Sequence, residues 1–329
     1  MGAGPTTAPA GDSVYGDLLQ EYASPDWKEP SWTHSPKKDN PAEQLAYAQE
    51  LEEQGRLSSA CSEYDALVHE WSSSSEAPTA QLSLARLYEK RDKKPRAFKE
   101  YQYAILMYPN AIPYEASVRA QMALLRAMEG ELGTGFLGMG ESMDAEDIAR
   151  LYEIVSLNAP ASDLAPECLF RMGDLYSGKH SKRYDLSLEP YETILSRYPQ
   201  STWAPVAAFH AARARVLLAR KYPRDEKRLS AALLSLDTVL WSYVSRLPNS
   251  AEARTELLAW REEIDGRMSH TDFEKAEFYD TIRRKPEAAA AAYRRFLELH
   301  PNAPDAPRAR KRLQELEPDL PQTANPVTK

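Results

Sequence analysis

Prolines recur in this chain in one local setting, and that setting constrains the fold more than any other feature. Tyr108-Pro-Asn-Ala111, Ala159-Pro-Ala-Ser162, Tyr198-Pro-Gln-Ser201, Leu247-Pro-Asn-Ser250 and His300-Pro-Asn-Ala303 each follow an apolar stretch of helical period. Proline has no backbone N–H and clashes with the preceding turn, so it stops a helix. A Ser or Asn just after it can accept the orphan N–H groups of the next helix. The stops at Pro109, Pro160, Pro199, Pro248 and Pro301 lie roughly 40 to 50 residues apart, a spacing that predicts a repeated helical unit with insertions. Beta-branched runs are nearly absent and Ala, Leu, Glu and Arg dominate, which makes every unit helical.

The second unit, 78 to 111, fixes the register. When Pro109 is set at position 32 of a 34-residue tetratricopeptide repeat, Leu84, Ala85 and Tyr88 fall at positions 7, 8 and 11. Ala97, Tyr101 and Ala104 then fall at 20, 24 and 27. Small Ala85 and Ala97 let two antiparallel helices approach, and the tyrosines fill the gap to the next pair. Gln81, at the apolar position 4, departs from the pattern. Ile148, Tyr152, Val155 and Pro160 repeat positions 20, 24, 27 and 32, as do Ser187, Tyr191, Ile194 and Pro199, and Ala289, Tyr293, Phe296 and Pro301. Leu169, Met172, Gly173 and Tyr176 supply the first helix of the fourth unit.

The expected fold is all-α, a right-handed superhelical solenoid of about five to six tetratricopeptide-like helix pairs. Residues 1–40 are a Pro/Gly-rich extended leader in which Trp27 and Trp32 are the exceptions, 41–316 are the repeat array, and 317–329 are a loose tail. Helix B of the fifth unit is predicted over about 228–246, and a long periodic segment over about 250–281. A final basic helix carrying Arg308, Arg310, Lys311 and Arg312 gives the polar end that a stack of repeats needs.

Chemistry has little support. The net charge of −8 argues against a broad nucleic-acid-binding face. Cys61 and Cys168 form no C-x-x-C unit and lie in distant repeats, so both should be free, buried thiols. Ser58-Ser-Ala-Cys61 has the small residues of a lipoprotein box but follows charged residues, not an apolar stretch. The six histidines make no ligand pair, and no metal or cofactor is expected. Gly133-Thr-Gly-Phe-Leu-Gly138 matches G-x-G-x-x-G in letters, but a helix precedes it where the dinucleotide fingerprint needs a strand. The insertion around it, 129–143, carries Phe136, Leu137 and Met139, apolar side chains suited to a binding loop. No catalytic constellation is present and the chain is read as a non-enzyme.

Ala159-Pro-Ala-Ser-Asp-Leu-Ala-Pro166, Tyr191-Glu-Thr-Ile-Leu-Ser-Arg-Tyr-Pro-Gln-Ser201 and the run from Leu257 to Lys275-Ala-Glu-Phe-Tyr279 resemble the BamD family, tetratricopeptide lipoproteins of outer-membrane β-barrel assembly. The resemblance covers about residues 41–316. It implies an adaptor on the periplasmic side of the bacterial outer membrane that binds unfolded outer-membrane-protein segments through its N-terminal repeats and barrel-assembly subunits through its C-terminal ones. It departs from the family in having about six pairs rather than five, the Gly-Met insertion, and no N-terminal lipobox cysteine. Membrane attachment would then come through a lipid anchor or partner not encoded in this chain. Another tetratricopeptide-type adaptor of a cell-envelope or cytoplasmic complex is the alternative.

Within such a repeat, positions 2, 5, 9 and 12 of helix A face the groove, position 2 being Ala42, Thr79 and Glu167 in the first, second and fourth pairs. The others are Leu45, Gln49 and Glu52 in the first pair, Leu82, Arg86 and Glu89 in the second, and Phe170 and Asp174 at positions 5 and 9 in the fourth. An apolar residue followed by polar ones suits an extended peptide, whose backbone needs partners and whose side chains need pockets.

Overall fold

The computed structural model describes residues 35–133 and 143–316. Leader residues 1–34, with Trp27 and Trp32, the loop residues Phe136, Leu137 and Met139, and the tail 317–329 lie outside them. The described residues form thirteen α-helices and no strand. They are α1 (Pro41–Glu53), α2 (Leu57–Glu70), α3 (Ala77–Lys90), α4 (Lys94–Met107), α5 (Tyr114–Gly130), α6 (Ala145–Asn158) and α7 (Leu164–Ser177). Then follow α8 (Tyr184–Arg197), α9 (Trp203–Lys221), α10 (Glu226–Thr238), α11 (Ser250–Glu277), α12 (Pro286–Leu299) and α13 (Ala306–Leu316). The chain divides into two compact units, Met1–Lys182 holding α1–α7 and Arg183–Lys329 holding α8–α13. Within each unit every helix packs on the next in sequence, the neighbour-to-neighbour packing of an all-α tetratricopeptide-like array.

The proline stops have a common backbone cause. Tyr108, Ala159, Tyr198 and His300 end α4, α6, α8 and α12 with φ between −134° and −128° and ψ between 40° and 59°. In each case the residue three further on returns its N–H to that residue's carbonyl. Ala111 bonds Tyr108 at 2.9 Å, Ser162 bonds Ala159 at 3.1 Å, Ser201 bonds Tyr198 at 2.9 Å and Ala303 bonds His300 at 3.2 Å. Proline thus sits second in a β-turn, where its fixed φ is already correct. At α2 the same geometry forms without proline: Trp71 has φ −126° and ψ 48°, and Ser74 N–H bonds its carbonyl at 2.9 Å.

Two expectations about these stops are corrected. Leu247, before Pro248, is extended (φ −77°, ψ 143°), and Asn249 is left-handed (φ 54°) with no capping bond from its side chain. Ser162 and Ser201 do accept N–H groups, from Leu164 at 3.2 Å and Trp203 at 3.1 Å, so the predicted capping role belongs to the serines.

In the first unit, Ala48 and Leu51 of α1, Ala60, Tyr64 and Leu67 of α2, and Ala80, Leu84 and Leu87 of α3 share one buried cluster. Ala85 and Ala97, the small positions 8 and 20, are fully buried. Gly55, at φ +73°, reverses the chain between α1 and α2, where a Cβ would be strained. Both cysteines are buried and free. Burial pushes the Cys168 thiol up to about 12, so it is a packing residue against Met122, whose Sδ lies 3.6 Å from its Sγ.

In the second unit, the predicted helix over 228–246 is α10 followed by a π-turn, Val239–Tyr243, and a short 3-10 turn, Val244–Arg246. The core explains the change of period. Leu236, Val239, Val244 and Leu247 all enter one buried cluster, and the five-residue step from Val239 to Val244 needs a wider turn than α-helix provides. The Val244 N–H accordingly bonds the Val239 carbonyl. A second π-turn, Phe278–Ile282, ends α11, closed by Arg283 N–H on the Phe278 carbonyl at 3.0 Å. The last helix, α13, buries Ala306, Ala309 and Leu316 against Phe273, Tyr293 and Phe296. Its Arg312 forks onto both Asp280 carboxylate oxygens at 2.7 and 2.9 Å, and Arg308 reaches Glu277 at 2.9 Å. Two of the four basic residues of this end helix therefore fasten it to α11 and its π-turn.

Candidate interaction surface

The helix-A residues of the first unit carry the candidate groove. Gln49 on α1 and Arg86 on α3, both at position 9, are exposed. Leu45 is half-buried and packs against the first core cluster, and Leu82 is buried, so the apolar position 5 contributes more to the core than to an open face.

The position-12 acids are held by tyrosines. Tyr64 donates its hydroxyl to Glu52 Oε2 at 2.9 Å, and Tyr101 donates to Glu89 Oε2 at 3.0 Å, each across twelve residues of the same helix pair. Burial, then the Glu89 charge, push Tyr101 up to about 12 against the pull of the nearby Arg86 guanidinium. Burial and the Glu52 contact likewise raise Tyr64. Each hydroxyl therefore stays protonated across the neutral range and remains a donor, fixing one carboxylate oxygen at the helix-A end. The latch recurs in the third pair, where Tyr152 donates to Glu129 at 2.7 Å, and in the second unit, where Tyr293 donates to Asp280 at 3.3 Å.

A second polar device lies between the helices of each early pair. Gln44 is fully buried and its Nε2 donates to the Glu63 carbonyl at 3.0 Å and to Glu63 Oε2 at 2.8 Å. Its Oε1 accepts from the Lys37 and Lys38 N–H groups at 3.0 and 3.1 Å. Gln81, the residue that breaks the apolar template, repeats this: its Nε2 donates to the Glu100 carbonyl at 2.8 Å and to Glu100 Oε2 at 2.7 Å. Gln121 on α5 uses the same amide differently, donating to Gln102 Oε1 at 2.9 Å. The departure at Gln81 is thus a buried clamp that sets the register of helix A against helix B.

On α7, Phe170 is half-buried and Asp174 is exposed. Between and beside them, Arg171 bonds Glu167 Oε1 at 2.9 Å and Glu129 Oε2 at 3.0 Å, and Arg126 grips both Glu167 oxygens at 2.7 Å. Burial pushes Glu167 up, but the two guanidiniums outweigh it and hold its carboxyl below the usual range. Asp174 also lines an open cleft of about 250 Å³ with Glu129, Leu132, Lys179 and His180. Gly133 at the cleft edge has φ +77°, and a Cβ there would fall 2.7 Å from the His180 ring.

The surface is built for polar and charged contact. Among the described residues no group of three His, Cys, Asp or Glu side chains could hold a metal. Among them, too, no helix is long and apolar enough to cross a membrane. Sequence reasoning put Gln49 and Arg86 on the first helix of their pairs, where both are exposed, and missed the tyrosine latches and the glutamine clamps. Part of the signal was present: an acid twelve residues before Tyr64 and before Tyr101, and a Gln nineteen residues before a Glu in both pairs.

Comparison with known proteins bears on the fold. Residues 167–201 match the tetratricopeptide repeat family model, a stretch from Glu167 on α7 to Ser201 after α8. Leu169, Met172, Gly173, Tyr176, Ser187, Tyr191 and Ile194, the repeat positions read there, are all buried. No curated protein matches the chain. Among solved structures, a tetratricopeptide repeat protein from Parabacteroides merdae aligns with 84% of this chain and 98% of its own at 13% identity. Its TM-score is 0.29, too low to argue from.

Proposed function

We propose that this chain is a non-enzymatic adaptor that holds extended polypeptide on the helix-A face of its first unit. Its guests are unfolded segments of outer-membrane β-barrel proteins, and its standing partners are subunits of the barrel-assembly machinery on the periplasmic side of the outer membrane. The observation that carries the reading is the repeated row of Gln49 and Arg86, exposed at equal register and bordered by acids that tyrosines hold in place. Such a row offers donors and acceptors to a peptide backbone at regular intervals, which favours an extended guest over a compact one. The guest's identity rests on the family resemblance of residues 159–166, 191–201 and 257–279. A match limited to tetratricopeptide repeats at large also supports an adaptor in another envelope or cytoplasmic complex, with the same face and a different guest.

Two measurements test this. The tagged full chain, crosslinked in cells and recovered from membranes, should bring down a barrel-assembly subunit, and recovery without one removes the barrel-assembly assignment. In vitro, Gln49→Ala with Arg86→Ala should weaken binding of a β-strand-forming peptide from a barrel protein by about tenfold or more. The melting temperature should fall only slightly, because both side chains are exposed and Arg86 meets the core through Tyr101. Unchanged affinity would place the peptide elsewhere.

A further inference from the structure

The second unit carries an apolar face that the peptide groove does not use. Trp241 is 87% exposed, Leu234 70% and Leu258 50%. Leu234 lies on α10, Trp241 on the π-turn that follows it, and Leu258 on α11. Arg261 Nε on α11 bonds Asp237 Oδ1 on α10 at 2.6 Å. Asp237 lies between Leu234 and Trp241 at helical spacing, and Arg261 lies one turn beyond Leu258. The bridge joins α10 and α11 within one turn of Leu234, Trp241 and Leu258 along the chain, and pairs its own two charges.

We infer that this face is the interface of a homodimer, two copies meeting α11 to α11 about a twofold axis near Leu258. The charge pattern selects a second copy over an unlike partner. Arg254, Leu258 and Glu262 are exposed and spaced four apart, so they form one stripe with opposite charges at equal distances from the leucine. A twofold axis through the leucine lays the two stripes antiparallel and sets each Arg254 against the other copy's Glu262. Neither residue is in an ion pair among the described residues. The area is also suitable. A covered Trp hides roughly 150–250 Å², and with the two leucines it supplies about half of the roughly 800 Å² each partner of a stable interface gives up. Trp is among the residues enriched at interface centres, and Trp241 is the most exposed of the three.

Sedimentation equilibrium of the full chain, from about 1 to 100 µM, tests this. The wild-type chain should self-associate to a dimer, and Trp241→Asp should be monomeric throughout with an unchanged far-UV melt. Arg254→Glu alone, and Glu262→Arg alone, should each weaken dimerisation about tenfold or more by setting like charges face to face. The double variant Arg254→Glu/Glu262→Arg should return to within about threefold of the wild type, since the swap restores both cross-dyad pairs. A monomeric wild type, an association indifferent to Trp241→Asp, or a double variant no better than the singles would each overturn the proposal.

Discussion

Replacing Gln44 by Met tests whether the buried amide clamp, and not apolar contact alone, sets the first helix pair. Met keeps the volume and removes four hydrogen bonds. The two on Oε1 come from Lys37 and Lys38, which are exposed, so their N–H groups turn to water at little cost. The two on Nε2 go to Glu63, which is only 8% exposed. Losing a donor to a buried carboxylate costs about 1.5–3 kcal/mol and losing the carbonyl's donor about 1 kcal/mol, so α1 and α2 should be weakened by about 2–4 kcal/mol. A repeat array need not unfold in one step, so the readout is local: amide exchange in α1 and α2, accelerated roughly 30- to 1,000-fold. Gln44→Met/Glu63→Met removes both partners, and its cost should fall below the sum of the single changes by about 1.5–3 kcal/mol. Acceleration below about threefold, or strictly additive costs, would refute the clamp.

The tyrosine latch makes a graded prediction. Tyr101→Ala should cost about 3–5 kcal/mol and Tyr101→Phe, which keeps the ring and loses the hydroxyl's contacts with Glu89 and Arg86, about 1–2 kcal/mol by denaturant titration. Equal losses would mean that the ring's burial matters less than its hydroxyl. Acid should find the ion-pair network of α5–α7 next: Glu167 is held below its ordinary value, so the unfolded chain takes up the proton first. Its stabilisation is whole above the ordinary carboxylate range near about 4 and drains away as pH falls below it. Melts between neutral and acid pH should show that loss in the wild type and a shallower one in Glu167→Gln, and parallel curves would count against it.

What could be read in advance follows from which interactions are local. Helix pairs announce themselves because small residues at fixed spacing, such as Ala85 and Ala97, are required wherever two helices approach. Gln81 reads as a flaw in an apolar template because its compensation, Glu100, lies on the opposite helix and is invisible to a one-helix pattern. Glu52 and Glu89 read as groove residues alone, since their tyrosine donors also come from the partner helix. The π-turn at Val239–Tyr243 escaped for a related reason. A five-residue step between core positions is a property of the cluster being filled, and an α-helical period simply runs through it.

The turn at Trp71 has a consequence for how such chains are recognised. Its dihedrals and its closing bond equal those at Tyr108 and Tyr198, yet Ser72 stands where they have proline. The joint between pairs is therefore written in main-chain atoms, and the letters at it are free to drift so long as the peptide can reach that conformation. Selection would preserve the angle and forget the alphabet. Likeness to the repeat pattern can then fade from one pair while staying legible in another, as at residues 167–201, and architecture outlasts the spelling by which it is recognised.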